Sequence, residues 1–140
     1  MSSEDGRAVG HQTGSGARAE SRSWDAELVP GERGRTVRPE TDCPVEVALA
    51  AVAGRWTTLV LRELMHGPAS YGELRARLPE ISSKVLAERL QALGERELVV
   101  RERLTGFPVR TSYRLTPAGE ALRPLLVELY RTGERLAGSR

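Results

Sequence analysis

ISSKVLAERLQALGERELVVRERLTGFPVRTSYRLTP, residues 81 to 117, is the stretch whose reading decides the fold. In its first third Leu86, Leu90 and Leu93 recur at the i, i+4, i+7 spacing that puts them on one face of a helix, so Lys84, Ala87, Glu88 and Gln91 face the other way. Ser82 or Ser83 is suited to accept the first free backbone N–H groups of that helix. Leu98-Val99-Val100 then opens a strand. Arg101 and Arg103 lead into the turn-forming Thr105-Gly106-Phe107-Pro108, and Arg110 to Leu115 alternates polar and apolar as a half-buried strand does. A helix with a free polar face followed at once by a basic hairpin implies a reader for a DNA groove with a wing beside it. Strand pairing would bring Arg103 and Arg110 together at the tip, where cations grip phosphate oxygens or probe a minor groove. Taken without its neighbours, the same pattern also fits a solvated hairpin on any small domain.

The preceding residues favour the first reading. Ser70-Tyr71-Gly72-Glu73 is an S-x-x-E capping box opening a short helix in which Tyr71, Leu74 and Leu78 share a face, and Pro79-Glu80 ends it. Helix, tight turn and helix in that order form the DNA-binding motif, the second helix being the reader. Upstream, Arg55 to Met65 carries Trp56, Leu59, Val60 and Leu64 on a helical stripe that His66-Gly67-Pro68 stops, and Trp56 is expected in the core. Pro44 to Val52 forms another helix, with Pro44 at its first position and Cys43 as its N-cap. The fold class expected is mainly α with a small antiparallel β-hairpin, a winged helix-turn-helix.

Beyond the hairpin, Thr116 caps and Pro117 starts a helix bearing Leu122, Leu125, Leu126, Leu129 and Leu136, with Pro124 expected to kink it. Fewer than 100 residues have limited room to bury both this stripe and the first helix, so part of the apolar surface is expected to meet a second copy. A homodimer would hold its two reading helices about 34 to 36 Å apart and read a pseudo-palindromic operator in double-stranded DNA. The alternative is that the last helix packs across its own domain.

Charge separates two regions. Residues 1–42 carry six Arg against eight acidic residues, a net of −2, whereas residues 43–140 carry fifteen basic against eleven acidic, a net of +4. The extension, 1–42, is rich in Gly, Ser, Arg and acids without sustained apolar periodicity, so it is expected to be disordered, and 43–140 to form the DNA-binding and dimerisation domain. Trp24, Leu28 and Val29 suggest one short turn that Pro30-Gly31 ends. No apolar h-region and no run of membrane-spanning length occurs, so a cytoplasmic protein without a membrane partner is expected. Lys84 is the one lysine among 21 basic residues and falls on the free face of the reading helix. Ser83, Lys84, Glu88 and Gln91 are the residues expected at base edges or nearby phosphates, where Gln pairs with adenine and Glu accepts from the cytosine amino group. Arg101, Arg103 and Arg110 are expected on phosphates. Arg89 borders the buried face and serves either a phosphate or an ion pair with Glu63 or Glu73.

Cys43-Pro44-Val45-Glu46, Gly54-Arg55-Trp56-Thr57, Leu61-Arg62-Glu63-Leu64, Tyr71-Gly72-Glu73-Leu74, Ile81-Ser82-Ser83-Lys84-Val85-Leu86, Arg89-Leu90 and Tyr113-Arg114-Leu115-Thr116 together resemble the HxlR-type transcription regulators. The resemblance runs from Cys43 to about Leu136. It implies a bacterial, dimeric winged-helix DNA-binding protein of MarR-like architecture that controls a neighbouring gene under chemical stress. Three features depart from the family. The glycine common after the reading helix stands earlier, as Gly94, with Glu97 before Leu98, which predicts an earlier or frayed helix end. Ala87 replaces a small hydroxyl residue, and the N-terminal extension is long.

Cys43 is the one cysteine, which excludes an internal disulfide, and with only His11 and His66 no familiar zinc cluster can be assembled. No metal and no cofactor are expected. At a helix N-terminus the exposed N–H groups favour a thiolate, with Arg55 or Arg62 adding to this and Glu46 opposing it. The resemblance implies that Cys43 senses quinones, aldehydes or oxidants; the alternative is a small packed N-cap. Enzyme motifs such as G-x-x-x-x-G-K-[ST], G-x-G-x-x-G and H-E-x-x-H are missing, so no enzyme is expected. The function expected is sequence-specific regulation of transcription by a dimer, a repressor more readily than an activator, under redox, electrophile or small-molecule control. The alternative is a winged-helix module that binds protein rather than DNA.

Overall fold

In the computed structural model, which describes residues 23–138, the chain divides into two compact units, Met1–Ala50 and Ala51–Arg140. The expectation for 1–42 falls, in its first 22 residues, outside the described residues. From there the first unit begins with a turn in which the Asp25 carboxylate accepts the N–H groups of Glu27 (2.8 Å) and Leu28 (3.1 Å), and Val29 N–H donates to the Asp25 carbonyl. A short 3-10 helix, Glu32–Gly34, follows. Helix α1, Pro44–Val52, spans the boundary between the units, with Pro44 in its first position, where no N–H is required.

In the second unit α2 runs Thr57–Met65. It starts two residues later than the apolar stripe predicts because Trp56 is left-handed (φ 80°), a rare state for a bulky residue, and so serves as N-cap. Trp56 packs half-buried against the core, as expected. Thr57 is buried and satisfies its hydroxyl on the Ala53 carbonyl at 2.8 Å. Helix α3, Tyr71–Arg77, opens on the full capping box: Glu73 N–H donates to Ser70 Oγ (3.0 Å) and Ser70 N–H to Glu73 Oε1 (2.8 Å). Helix α4, Ser83–Glu95, has Ser82 as its N-cap, the hydroxyl accepting from Val85 N–H at 3.1 Å.

The expected early end of α4 is not found. The helix passes through Gly94, and Glu97 itself takes the left-handed position (φ 60°) that glycine usually fills. Leu98 N–H returns to the Leu93 carbonyl and Glu97 N–H to the Gly94 carbonyl, both at 2.9 Å, which is a Schellman motif with a non-glycine residue at its bend. The buried pair Leu93 and Leu98 lies at its closing positions.

Strands β1, Val99–Leu104, and β2, Arg110–Leu115, pair antiparallel from Val99↔Leu115 to Leu104↔Arg110. Ala69 adds a one-residue bridge, exchanging hydrogen bonds of 3.0 and 2.8 Å with Tyr113, so the wing is anchored to the segment between α2 and α3. The Phe107–Pro108 peptide at the tip is cis. One core joins these elements: Val60, Leu61, Leu74, Ile81 and Leu86 are its largest fully buried side chains, and Leu90, Leu93, Val99 and Leu115 continue it.

After Thr116, whose hydroxyl caps Gly119 N–H at 3.1 Å, the chain forms the single turn α5, Pro117–Glu120, and then α6, Arg123–Gly138. The kink expected at Pro124 is a complete break placed just upstream. A proline ring clashes with the carbonyl four residues back, here Glu120, where α5 ends, and Pro124 lies in the first turn of the next helix. Neither α1 nor α6 buries any residue, although Ala51 and Val52 at the end of α1, Leu126 of α6 and Leu122 just before it are half-buried against the core. No single helix among the described residues is long and apolar enough to cross a membrane.

Candidate nucleic-acid interface

The reading helix is held by its apolar face and its first turn. Leu86, Leu90 and Leu93 are buried, which leaves Lys84, Ala87, Glu88 and Gln91 exposed, as their spacing predicts. Two side chains of α3 fix the first turn: Tyr71 O–H donates to the Ser83 carbonyl (2.8 Å), and Arg75 Nη1 to Ser83 Oγ (2.5 Å). The sequence marked Tyr71 only as apolar and Arg75 only as basic, so neither positioning role was read from it. Arg75 Nε is buried without a partner, which makes this guanidinium a fixed cation beside Ser83. Among the described residues Lys84 and Glu88 make no hydrogen bond or ion pair, and Gln91 makes only a long one, 3.4 Å, to Glu95.

Arg89 does not meet Glu63 or Glu73. Its Nε donates to the Arg55 carbonyl at 2.7 Å, tying α4 to the loop before α2, while Glu63 is engaged by Arg62 at 3.1 Å. Gly54 makes room for this: it has φ 102°, and a Cβ there would lie 3.2 Å from Arg89 Nε. The contact spans 34 positions, so no local pattern announces it.

Across the hairpin, directly opposed residues share a face. Arg101 stands opposite Tyr113 and Arg103 opposite Thr111, whereas Arg110 stands opposite Leu104 on the other face. Arg103 and Arg110 are therefore neighbours in register at the tip but point to opposite sides, a correction to the simple cluster expected. Arg101 shares an open cleft with Ala87, Gln91 and Gly94 of the reading helix and Tyr113 of the wing. On the Arg110 face the Arg114–Glu102 pair closes at 3.0 Å. The Ser70 backbone N–H holds the Glu73 carboxyl below its usual range, with the Ser70 hydroxyl and the charges of Arg77 and Arg110 adding to it.

Cys43 is 7% exposed, donates its N–H to the Glu40 carbonyl and accepts Val47 N–H on its own carbonyl, as an N-cap residue does. Arg62, one of the two cations expected to act on it, is turned to Glu63. Among the described residues no cluster of His, Cys, Asp and Glu could hold a metal ion.

This arrangement offers a polar helical face with an anchored first turn, a cationic cleft beside it and a basic hairpin beyond. The family model of HxlR-like helix-turn-helix proteins matches residues 51–139, so Cys43 precedes the matched span. The HTH-type transcriptional regulator YodB of Bacillus subtilis (strain 168) is 40% identical over 90 residues, covering 64% of this chain and 80% of YodB. The redox regulator HypR, solved in its reduced form, superposes with a TM-score of 0.63 at 27% identity, covering 69% of this chain and 99% of HypR. A MarR-family transcriptional regulator from Enterococcus faecalis V583 gives 0.63 at 33% identity over 74% of this chain and 94% of its own.

Proposed function

The chain belongs to the HxlR-like helix-turn-helix family and is a transcriptional regulator of MarR-like type, and from that premise we propose that it acts in the cytoplasm as a dimeric repressor on a pseudo-palindromic operator. The observation that carries this reading is the free face of α4: Lys84, Glu88 and Gln91 are exposed and uncommitted or nearly so, beside a first turn locked by Tyr71 and Arg75. A major groove admits one helix, and there Gln91 pairs with adenine, Glu88 accepts from a cytosine amino group, and Lys84 and the Ser83 region take a guanine edge or a phosphate. Arg101, Arg103 and Arg110 neutralise phosphates. Arg89 sets the tilt of α4 through the Arg55 carbonyl and has its terminal nitrogens left for a phosphate. Repression follows from occupancy, since a dimer lying across a promoter blocks polymerase.

Two helices without a buried residue, the apolar α1 and the amphipathic α6, support assembly with a second copy. Control by oxidants or electrophiles is supported by the kinship with HypR, a redox regulator solved in reduced and oxidised forms, and with YodB, solved with a quinone bound. Cys43 is the thiol available for it. Its burial means that a reagent reaches it only through local opening of the α1 start, so sensing is slow unless the reagent is small. A small-molecule inducer acting without the thiol is the competing mode of control.

The test is fluorescence anisotropy with a duplex that the protein itself selects from a random pool, scrambled duplex as competitor, and wild type against Cys43→Ser, each reduced and diamide-treated. Specific binding that falls steeply with salt supports the regulator reading. Release of treated wild type but not of treated Cys43→Ser assigns the switch to the thiol. Retention of both moves control to a ligand, and absence of any sequence preference leaves a protein-binding winged helix.

A further inference from the structure

The wing ends in an apolar point that DNA reading by α4 does not use. Phe107 is 101% exposed, and Leu104 and Val109 beside it are exposed at 41% and 53%, with Pro108 between them. Single exposed apolar residues are common, but four within the six positions 104–109, at the extremity of a hairpin, are a localised apolar surface. Residues 99–115 carry four Arg and one Glu, a net of +3, and that Glu, Glu102, is paired with Arg114. The apolar point is thus mounted on a cationic stem, which suits a polyanion with an apolar interior.

Resting on the regulator reading above, we propose that Phe107 is a wedge that enters the minor groove flanking the major groove read by α4 and partly unstacks one base step. Reach agrees with this. Arg101 lines the cleft beside Gln91, and the strand continues three residues to Leu104, about 10 Å at 3.4 Å per residue, before the turn adds its own length. The neighbouring minor groove begins within half a helical turn, roughly 17 Å. A two-stranded ribbon is too broad for a minor groove about 6 Å wide, but a single aromatic side chain at its tip is not. The placement of Arg103 and Arg110 on opposite faces of the hairpin then acquires a purpose: each faces one of the two phosphate backbones that border the groove. A second copy is a poorer occupant, because tips meeting across a two-fold axis would bring like-charged arginines together.

The experiment uses the full chain and its selected duplex, with 2-aminopurine substituted at one base at a time along both strands. Anisotropy reads affinity, and 2-aminopurine fluorescence reads unstacking. Wild type is expected to brighten the probe severalfold at one step per half-site, outside the segment that α4 protects. Phe107→Ala should abolish the brightening and weaken specific binding roughly 10-fold, the scale of losing one aromatic contact with a base. Phe107→Leu should keep part of both effects, as a smaller wedge would. Because Phe107 is fully exposed, the melting temperature of all three proteins should agree. Specific binding with no brightening at any step overturns the wedge and leaves the regulator reading intact. A shift in the monomer–dimer equilibrium of Phe107→Ala without DNA also overturns it, by assigning the tip to a protein contact. Absence of specific binding by wild type overturns the regulator reading and the wedge together.

Discussion

Helix α4 and helix α6 carry similar leucine patterns and meet opposite fates. In α4 Leu86, Leu90 and Leu93 are buried, and side chains from α3 and the Arg55 carbonyl fix the helix from outside. In α6, the longer of the two, none is buried, and Leu129, Tyr130 and Leu136 are 46%, 71% and 67% exposed. Periodicity specifies a face; it does not say what covers the face. For α4 the cover is the same protomer, which gives a rigid reader. For α6 we propose that the cover is a second copy, so that the distance between two readers is set by the helix that the protomer leaves open.

Replacing one leucine in each helix tests that contrast most strongly. Leu86→Ala empties a site at the centre of the core and should cost about 2 to 5 kcal/mol, a large part of the stability of a domain this size, read by urea titration. Leu129→Glu should leave the fold of the protomer intact by circular dichroism. It should raise the dimer dissociation constant on the order of 100-fold in analytical ultracentrifugation, because a two-fold axis presents the change twice. If Leu129→Glu instead leaves assembly untouched, the distal half of α6 is ordinary surface and the contrast with α4 loses its meaning.

A smaller effect probes how the C-terminal segment is seated. Gly119 lies against the Leu98 carbonyl oxygen so closely that a Cβ would collide with it, and Leu115 Cδ2 would stand 3.1 Å away. Gly119→Ala should therefore destabilise by about 1 to 3 kcal/mol, although alanine is the better helix former. A neutral or stabilising result in thermal denaturation would mean that α5 shifts freely, and with it the base from which α6 departs.

What could be read from the sequence and what could not divides along the range of the interactions. The capping box at Ser70 and Glu73, the buried face of α4 and the two wing strands all follow from spacing within a few residues, and each is found where the spacing put it. Gly119 against Leu98, Arg89 on the Arg55 carbonyl and Ala69 bridging Tyr113 join residues whose proximity only the folded chain creates, and the left-handed state of Trp56 is one that no spacing pattern announces. At the interface the free face of the reader was legible for the same reason as its core. The hold of Arg75 and Tyr71 on Ser83, and the division of Arg103 and Arg110 between faces, required side-chain direction and strand register. Glu97 is the instructive misreading: the absence of glycine after α4 implied a frayed end, yet the Schellman bonds and the burial of Leu98 force a glutamate into the bend.

That bend is strained, so Glu97→Gly should stabilise the protein by roughly 0.5 to 1 kcal/mol, the left-handed penalty less the extra chain entropy of glycine. Differential scanning calorimetry reads it as a higher melting temperature. A lower one would mean that the Glu97 side chain contributes more than its backbone costs, and that the reader's C-terminus is held differently from its N-terminus.

The least effect expected lies at the start of α3, on which the first turn of α4 depends. Glu73 is exposed, and its carboxyl is held below the usual range chiefly by the Ser70 backbone N–H. A carboxyl with a lowered folded-state value contributes stability that is fully present above the unfolded value, near pH 4.3, and is lost as pH falls through the folded one. Wild type should therefore melt above Glu73→Gln at pH 7, and the gap should close on acidification through and below pH 4. Because α3 carries Tyr71 and Arg75 to Ser83, the same acidification should loosen the first turn of α4 before its core, visible as faster amide exchange at Val85, whose N–H is bonded to Ser82 Oγ, than at Leu90. Equal protection at both positions down to pH 3 would show that the reader is held by its leucines alone, and that the contrast with α6 rests on burial without help from α3.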